Sequence, residues 1–193
     1  MSKEKVKLIL VVDASGSMSA TRSETVQAVQ DLIDEHRTLT DKKVRIQIFT
    51  FDSTVNELVP LTMLKEYNSL FADLYQTNGL TALYDGIGKA ITTNIDDKSY
   101  AKTSLVILTD GAENSSQEFT KATVAKLITE VQDDLGWDVT YLGAKMANFE
   151  EYTTSLGFKS GKSVAFDPNL GGTRGASLST ASTMSMAYLS AKD

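Results

Sequence analysis

The chain has 193 residues, 41% of them hydrophobic and 23% charged, which is enough for one substantial core and short for two. One domain over residues 1–193, with its core between residues 5 and 190, is therefore expected. A net charge of −6 with no cluster of lysine or arginine excludes nonspecific association with nucleic acid or an anionic membrane, since both need a basic surface.

The amino terminus, Met1 to Lys5, is charged and leads straight into five apolar residues. That run is too short for a signal-peptide core or a membrane span and predicts a cytoplasmic protein. Strand-like apolar runs then alternate with amphipathic helical patterns, which predicts an open α/β fold around a mostly parallel sheet. The first strand covers residues 6–12. A helix follows from Thr21, where Thr21 and Glu24 have capping-box spacing and Val26, Val29, Leu32 and Ile33 recur at helical intervals. Residues 44–49 alternate polar and apolar, and Asp52-Ser53 turns the chain into residues 54–59, so this pair reads as a hairpin with an antiparallel edge strand that Pro60 ends. Residues 62–79 carry only a weak signal, for one irregular helix around residues 63–74.

A helix with Leu83, Ile87 and Ile91 in register starts at Thr81. Residues 105–108 form the next buried strand, Thr120 caps the following helix, and residues 138–142 form another strand. Asn148 is expected to cap a short helix that Gly157 stops. Residues 164–166 are the last strand, and Gly171-Gly172 hinges into a serine- and alanine-rich final helix expected to turn Met184, Ala187 and Tyr188 inward. The methionines there read as core filler.

With no cysteine, disulfides, thiolate metal ligands and thiol nucleophiles are all absent. The one histidine, His36, is read as a helix-surface residue, so histidine-rich zinc sites and Ser-His-Asp catalysis lack raw material. What the chain does carry is oxygen chemistry. Asp13, Ser15 and Ser17 leave the end of the first strand with Gly16 among them, Asp110 leaves the end of a later strand, and Thr81 stands at a helix start. In an open parallel sheet, ligands bind outside the carboxyl ends of the strands where the winding reverses. Mg2+, Mn2+ and Ca2+ prefer carboxylate, hydroxyl and water oxygens.

Asp13-x-Ser15-x-Ser17, with Thr81 and Asp110-Gly111 following in order, resembles the metal-ion-dependent adhesion site (MIDAS) of von Willebrand factor type A (vWA) domains. The segments 81–87 and 109–114 look like those of stand-alone bacterial and phage members. The resemblance implies a Rossmann-like, three-layer doubly wound sheet of six strands with one antiparallel edge strand and helices on both faces. It also implies that Asp13, Ser15, Ser17, Thr81 and Asp110 hold a divalent cation, Mg2+ first, with Mn2+ or Ca2+ as alternatives. The expected function is a non-enzymatic protein-binding module that captures an Asp or Glu of a partner protein through that cation.

Two other readings compete: a metal-assisted phosphoryl hydrolase, and a structural or virion-associated protein with an incidental metal site. Against the hydrolase, Ser15 stands where such sites often carry a further acid, and no lysine or histidine is placed to act on a leaving group. Asp85 reads as a structural first-turn acid, Asp52 as a turn residue, Glu113 and Asn114 as solvated loop, and Asp133-Asp134 as a solvated helix end. Residues 157–163 have three residues rather than four between their glycines and precede a strand, so they are not a phosphate loop.

Overall fold

A computed structural model of the protein describes residues 3–167 and 170–191. Met1 and Ser2 of the charged amino terminus, and the extreme ends of the expected 1–193 domain, lie outside them. Six strands, β1 (Lys5–Asp13), β2 (Lys43–Phe51), β3 (Val55–Met63), β4 (Lys102–Thr109), β5 (Asp138–Ala144) and β6 (Ser163–Phe166), form one sheet in the order β3-β2-β1-β4-β5-β6. Only the β2–β3 pairing is antiparallel, and it lies at the sheet edge. The helices are α1 (Arg22–Arg37), α2 (Phe71–Leu74), α3 (Leu83–Asn94), α4 (Lys121–Asp133), α5 (Phe149–Ser155) and α6 (Thr173–Ser190). This is the six-stranded, doubly wound α/β fold that the sequence predicts.

The strand period of two divides β1 between two cores. Leu8, Leu10 and Val12 pack with Leu32 and Ile33 of α1 and Leu178 and Ala181 of α6. Ile9 and Val11 pack on the other face with Leu83, Ile87 and Ile91 of α3 and Val124 and Ile128 of α4. A central strand covered on both faces reads as a continuous apolar run, which is why β1 and β4 are so legible. From β1 the chain winds outward to β2 on one side and returns to β4 on the other. The carboxyl ends of β1 and β4 therefore frame the crevice where the winding reverses.

Several local expectations are corrected. β3 continues past Pro60 to Met63, because Pro60 falls between the pairs Ile48↔Val59 and Ile46↔Thr62, where the edge register shifts and a missing donor is tolerated. Residues 62–79 hold the end of β3, a 3-10 turn (Leu64–Glu66) and the single turn α2 rather than one helix. A 3-10 turn (Gly16–Thr21) also precedes α1. Thr21 occupies the cap position of α1 without a capping bond. Its hydroxyl contacts Arg174 of α6, and Glu24 accepts from the Gly175 amide at 3.1 Å, so both supposed cap groups serve the packing of α6.

His36 is fully buried, not on the surface. Its Nδ1 meets the Leu32 carbonyl at 2.8 Å and its Nε2 the Ser185 hydroxyl of α6 at 2.9 Å. The inward face of α6 is Leu178, Ala181, Ser182, Ser185 and Leu189, whereas Met184 and Tyr188 are half-buried and Ala187 is exposed. Serines share that buried face with Leu178, Leu189 and the large side chain of Arg174, while Met184 and Tyr188 fall to its flanks. The capping box at Thr120 is present, Asp134 follows α4 as its C-cap, and Gly157 ends α5 with φ 88°.

Candidate metal centre

Asp13 is the last residue of β1 and is completely buried. Its Oδ1 accepts the Ser15 amide at 2.7 Å and its Oδ2 the Thr109 hydroxyl, from the end of β4, at 2.5 Å. The turn after Asp13 aims the next two hydroxyls together: Ser15 Oγ and Ser17 Oγ are 3.0 Å apart. Ser17 in turn donates to Asp110 Oδ1 at 2.7 Å. Hydrogen bonds thus link Asp13 to Ser15 through the Ser15 amide, and Ser15 through its hydroxyl and that of Ser17 to Asp110.

Thr81 reaches this cluster through backbone bracing. The Gly16 amide donates to the Gly79 carbonyl at 3.1 Å and the Asn78 amide to the Ala14 carbonyl at 2.8 Å. Gly79 has φ 69°, and a side chain there would strike Ser53 Oγ at 2.7 Å, so glycine is required at this close approach. Asn114 fixes Thr81 from the other side, its side chain accepting the Thr81 amide at 2.8 Å and its amide donating to the Thr81 carbonyl at 3.0 Å. A Cβ placed on Gly111 would lie 3.3 Å from Thr81 Oγ1 and 3.7 Å from Ser17 Oγ. The bare glycine leaves a cradle between these hydroxyls beside Asp110. All five residues singled out in the sequence come together here, with Thr81 one residue before the helix cap, Ala82.

Burial pushes the Asp13 carboxyl above its ordinary range, the nearby charge of Asp110 adds to this, and the hydrogen bonds from Ser15 and Thr109 oppose it. Two carboxylates sharing a desolvated crevice are stabilised by a cation among them. Two acids and three neutral hydroxyls suit a hard divalent ion that keeps some of its water. Among the described residues no group of three or more His, Cys, Asp or Glu side chains gathers, here or elsewhere, so the hydroxyls carry the rest of the donor set. The cluster opens toward solvent at Ser17, and Leu80, 56% exposed, stands next to Thr81 at the rim.

Further residues hold the cluster and were not foreseen. The Tyr75 hydroxyl donates to the Asp13 carbonyl at 2.5 Å, and Arg22 braces Tyr75 by donating to the Ala72 and Tyr75 carbonyls at 2.7 and 2.6 Å. Glu113 is not a solvated residue: it accepts the amides of Tyr84, Ser115 and Ser116 at 3.0, 2.9 and 2.7 Å and ties the loop after β4 to α3. Asn114, though exposed, braces Thr81 as described. Asp85 is structural as expected, accepting the amides of Gln117, Glu118 and Phe119 at 2.8, 3.0 and 2.8 Å. Asp52 accepts the Thr54 amide at 2.8 Å, the turn read from sequence. Arg174 of α6, 2% exposed, ion-pairs with Asp110 at 3.2 Å, and no local pattern signalled it.

Residues 7–172 match the model of the von Willebrand factor type A domain. A comparison with curated protein sequences finds no match. Among solved structures, the chain is similar to the vWF domain of the type V pili tip protein Mfa5 from Porphyromonas gingivalis, at 12% identity and TM-score 0.69, covering 100% of this chain and 99% of that one. The SpRpn10 VWA domain matches at 13% identity and TM-score 0.65, with 100% of each chain covered. The PilB minor pilin from Streptococcus sanguinis matches at 12% identity and TM-score 0.66 over 95% of this chain, which spans 61% of that protein. The chain likewise spans only 45% of the proximal thread matrix protein 1 of the mussel byssus, at 15% identity and TM-score 0.62 over 97% of this chain. At these identities the likeness is one of fold. No described helix is long and apolar enough to cross a membrane.

Proposed function

The chain belongs to the von Willebrand factor type A domain family, and from that premise we propose that it is a divalent-cation-dependent protein-binding module without catalytic activity, working in the cytoplasm. Asp13, Ser15, Ser17, Thr81 and Asp110 would hold the cation, Mg2+ in the first instance. The cation supplies a Lewis-acidic position for one carboxylate of a partner protein, an Asp or a Glu. The observation that carries this reading is the hydrogen-bonded linkage from Asp13 through Ser15 and Ser17 to Asp110, with Thr81 facing the same cradle at Gly111.

This chain's residues divide the work. Thr109, Tyr75 and the Ser15 amide orient Asp13. Ser17 joins the first loop to Asp110. Neutral hydroxyls add no charge of their own, so they leave the attraction between a divalent ion and an incoming acid undiminished. The exposed Leu80 places apolar surface next to the polar opening, a mixture typical of protein contacts.

The test is capture of partners from cell extract on immobilised protein in Mg2+ buffer, followed by elution with a chelator. Release by chelator from wild type, and no capture by Asp13→Ala of intact fold, are expected. Capture that is indifferent to chelator overturns the proposal. Hydrolysis of a phosphate ester that depends on Asp13 would move the protein among the enzymes instead.

A further inference from the structure

We propose that Arg174 is a built-in counter-charge that holds the site's cation affinity below what Asp13 and Asp110 alone would give, an inference that rests on the cation reading above. Its guanidinium is anchored on three sides. Nη2 meets Asp110 Oδ2 at 3.2 Å, and Nη1 donates to the Thr21 hydroxyl and, at 3.1 Å, to that of Thr25. The group also lies 4.7 Å from the centre of the Phe166 ring. The side chain is 2% exposed, and its Nε is buried without a hydrogen-bond partner.

This placement is poor for α6 itself. Arg174 is the second residue of that helix, where the helix dipole disfavours a cation, and a buried nitrogen is left unpaired at a cost. Contact with Asp110 offsets both. A guanidinium does not lose its proton near neutral pH, so its charge is permanent. Two aspartates and one arginine leave the cluster with a single negative charge, and a divalent ion then makes it singly positive. Without Arg174 the loaded cluster would be neutral. Arg174 therefore weakens retention of the ion and leaves the loaded site with a surplus positive charge for an acid. It acts by its charge, through the ion pair with Asp110, and is not itself a ligand.

The experiment is calorimetric titration of Mg2+ and Mn2+ into wild type, Arg174→Gln and Arg174→Lys, with folding checked by circular dichroism. Arg174→Gln is expected to bind at least tenfold tighter, and Arg174→Lys, which keeps the charge, to stay within threefold of wild type. A residue that merely supported Asp110 would give the opposite sign, so equal or weaker binding by Arg174→Gln overturns the proposal while leaving the cation reading standing. Absence of binding in all three proteins overturns both. Should Arg174→Gln not fold, Thr21→Asp places a neutralising carboxylate against the guanidinium at a helix cap that favours Asp. Tighter binding by Thr21→Asp supports the proposal, and unchanged or weaker binding overturns it.

Discussion

Thr109 donates its hydroxyl to Oδ2 of Asp13 at 2.5 Å, linking the carboxyl ends of the adjacent parallel strands β4 and β1. Thr109 Oγ1 also accepts the Gly111 amide at 3.2 Å, so one buried hydroxyl sets both the aspartate and the turn beside Asp110. Groups that orient metal-binding carboxylates commonly affect affinity by about ten- to hundredfold when removed. Thr109→Val is isosteric but leaves Asp13 with an unpaired oxygen, so cation affinity is expected to fall by about tenfold or more. Apo stability should drop by about 1–3 kcal/mol. Thr109→Ser should retain most of both. Titration of Mn2+ and urea denaturation check the two halves, and an unchanged affinity in Thr109→Val rejects the orienting role.

Asp85 concerns the loop behind the site. Its two oxygens accept three consecutive amides, Gln117, Glu118 and Phe119, and pin the segment after Asp110 to α3. An amide side chain keeps only one acceptor oxygen and turns a donor toward an N–H. Asp85→Asn is therefore expected to cost about 2–3 kcal/mol, as hydrogen bonds to a charged acceptor are lost. Hydrogen exchange should speed up in residues 111–119 before it does in β1. Exchange that rises equally throughout the chain would mean the contact is not local.

Legibility in the sequence followed the range of the physics involved. β1 and β4 were readable because both faces are buried, and the three oxygen-bearing segments because topology must bring the ends of β1 and β4 together. The cap at Thr120 and the stop at Gly157 were local chemistry. His36 was misread because its partner Ser185 lies 149 positions away, and a polar residue on a helix reads as solvated unless that partner is known. Arg174 escaped for the same reason, being 64 positions from Asp110. On α6 three of the seven buried residues are serines and a fourth is Arg174, so polar side chains hide much of the inward face from any hydropathy pattern.

His36 makes stability depend on pH. Burial lowers its pKa, opposed by the bond to the Leu32 carbonyl and by the charge of Glu35. The Leu32 carbonyl can only accept, so Nδ1 carries the proton and Nε2 accepts from Ser185 in the neutral ring. Because the folded pKa lies below the ordinary value near 6.5, the unfolded chain takes up the proton first as pH falls. Stability is complete above pH 6.5 and declines below it until the folded pKa is passed, with a slope of at most about 1.4 kcal/mol per pH unit for one proton. Thermal midpoints of wild type and His36→Gln between pH 5 and 7.5 check this. The two curves should converge toward acid pH, and parallel curves would remove His36 as the cause.

Thr81 separates binding from folding. Its backbone is held by Asn114 on both sides, while among the described residues its hydroxyl has no hydrogen-bond partner. Thr81→Val keeps the shape and should leave apo stability within about 0.5 kcal/mol, the ordinary range for a change that breaks no contact. Its effect should appear only with the cation. Wild type at a hundredfold excess of Mg2+ over the dissociation constant gains about 2.7 kcal/mol from binding. A tenfold loss of affinity in the variant would reduce that gain by about 1.3 kcal/mol at the same concentration. Thermal midpoints with and without Mg2+ measure both quantities in one experiment. An equal shift in the two proteins would take the Thr81 hydroxyl out of the ligand set, whereas a lower apo midpoint in the variant would give it a structural role.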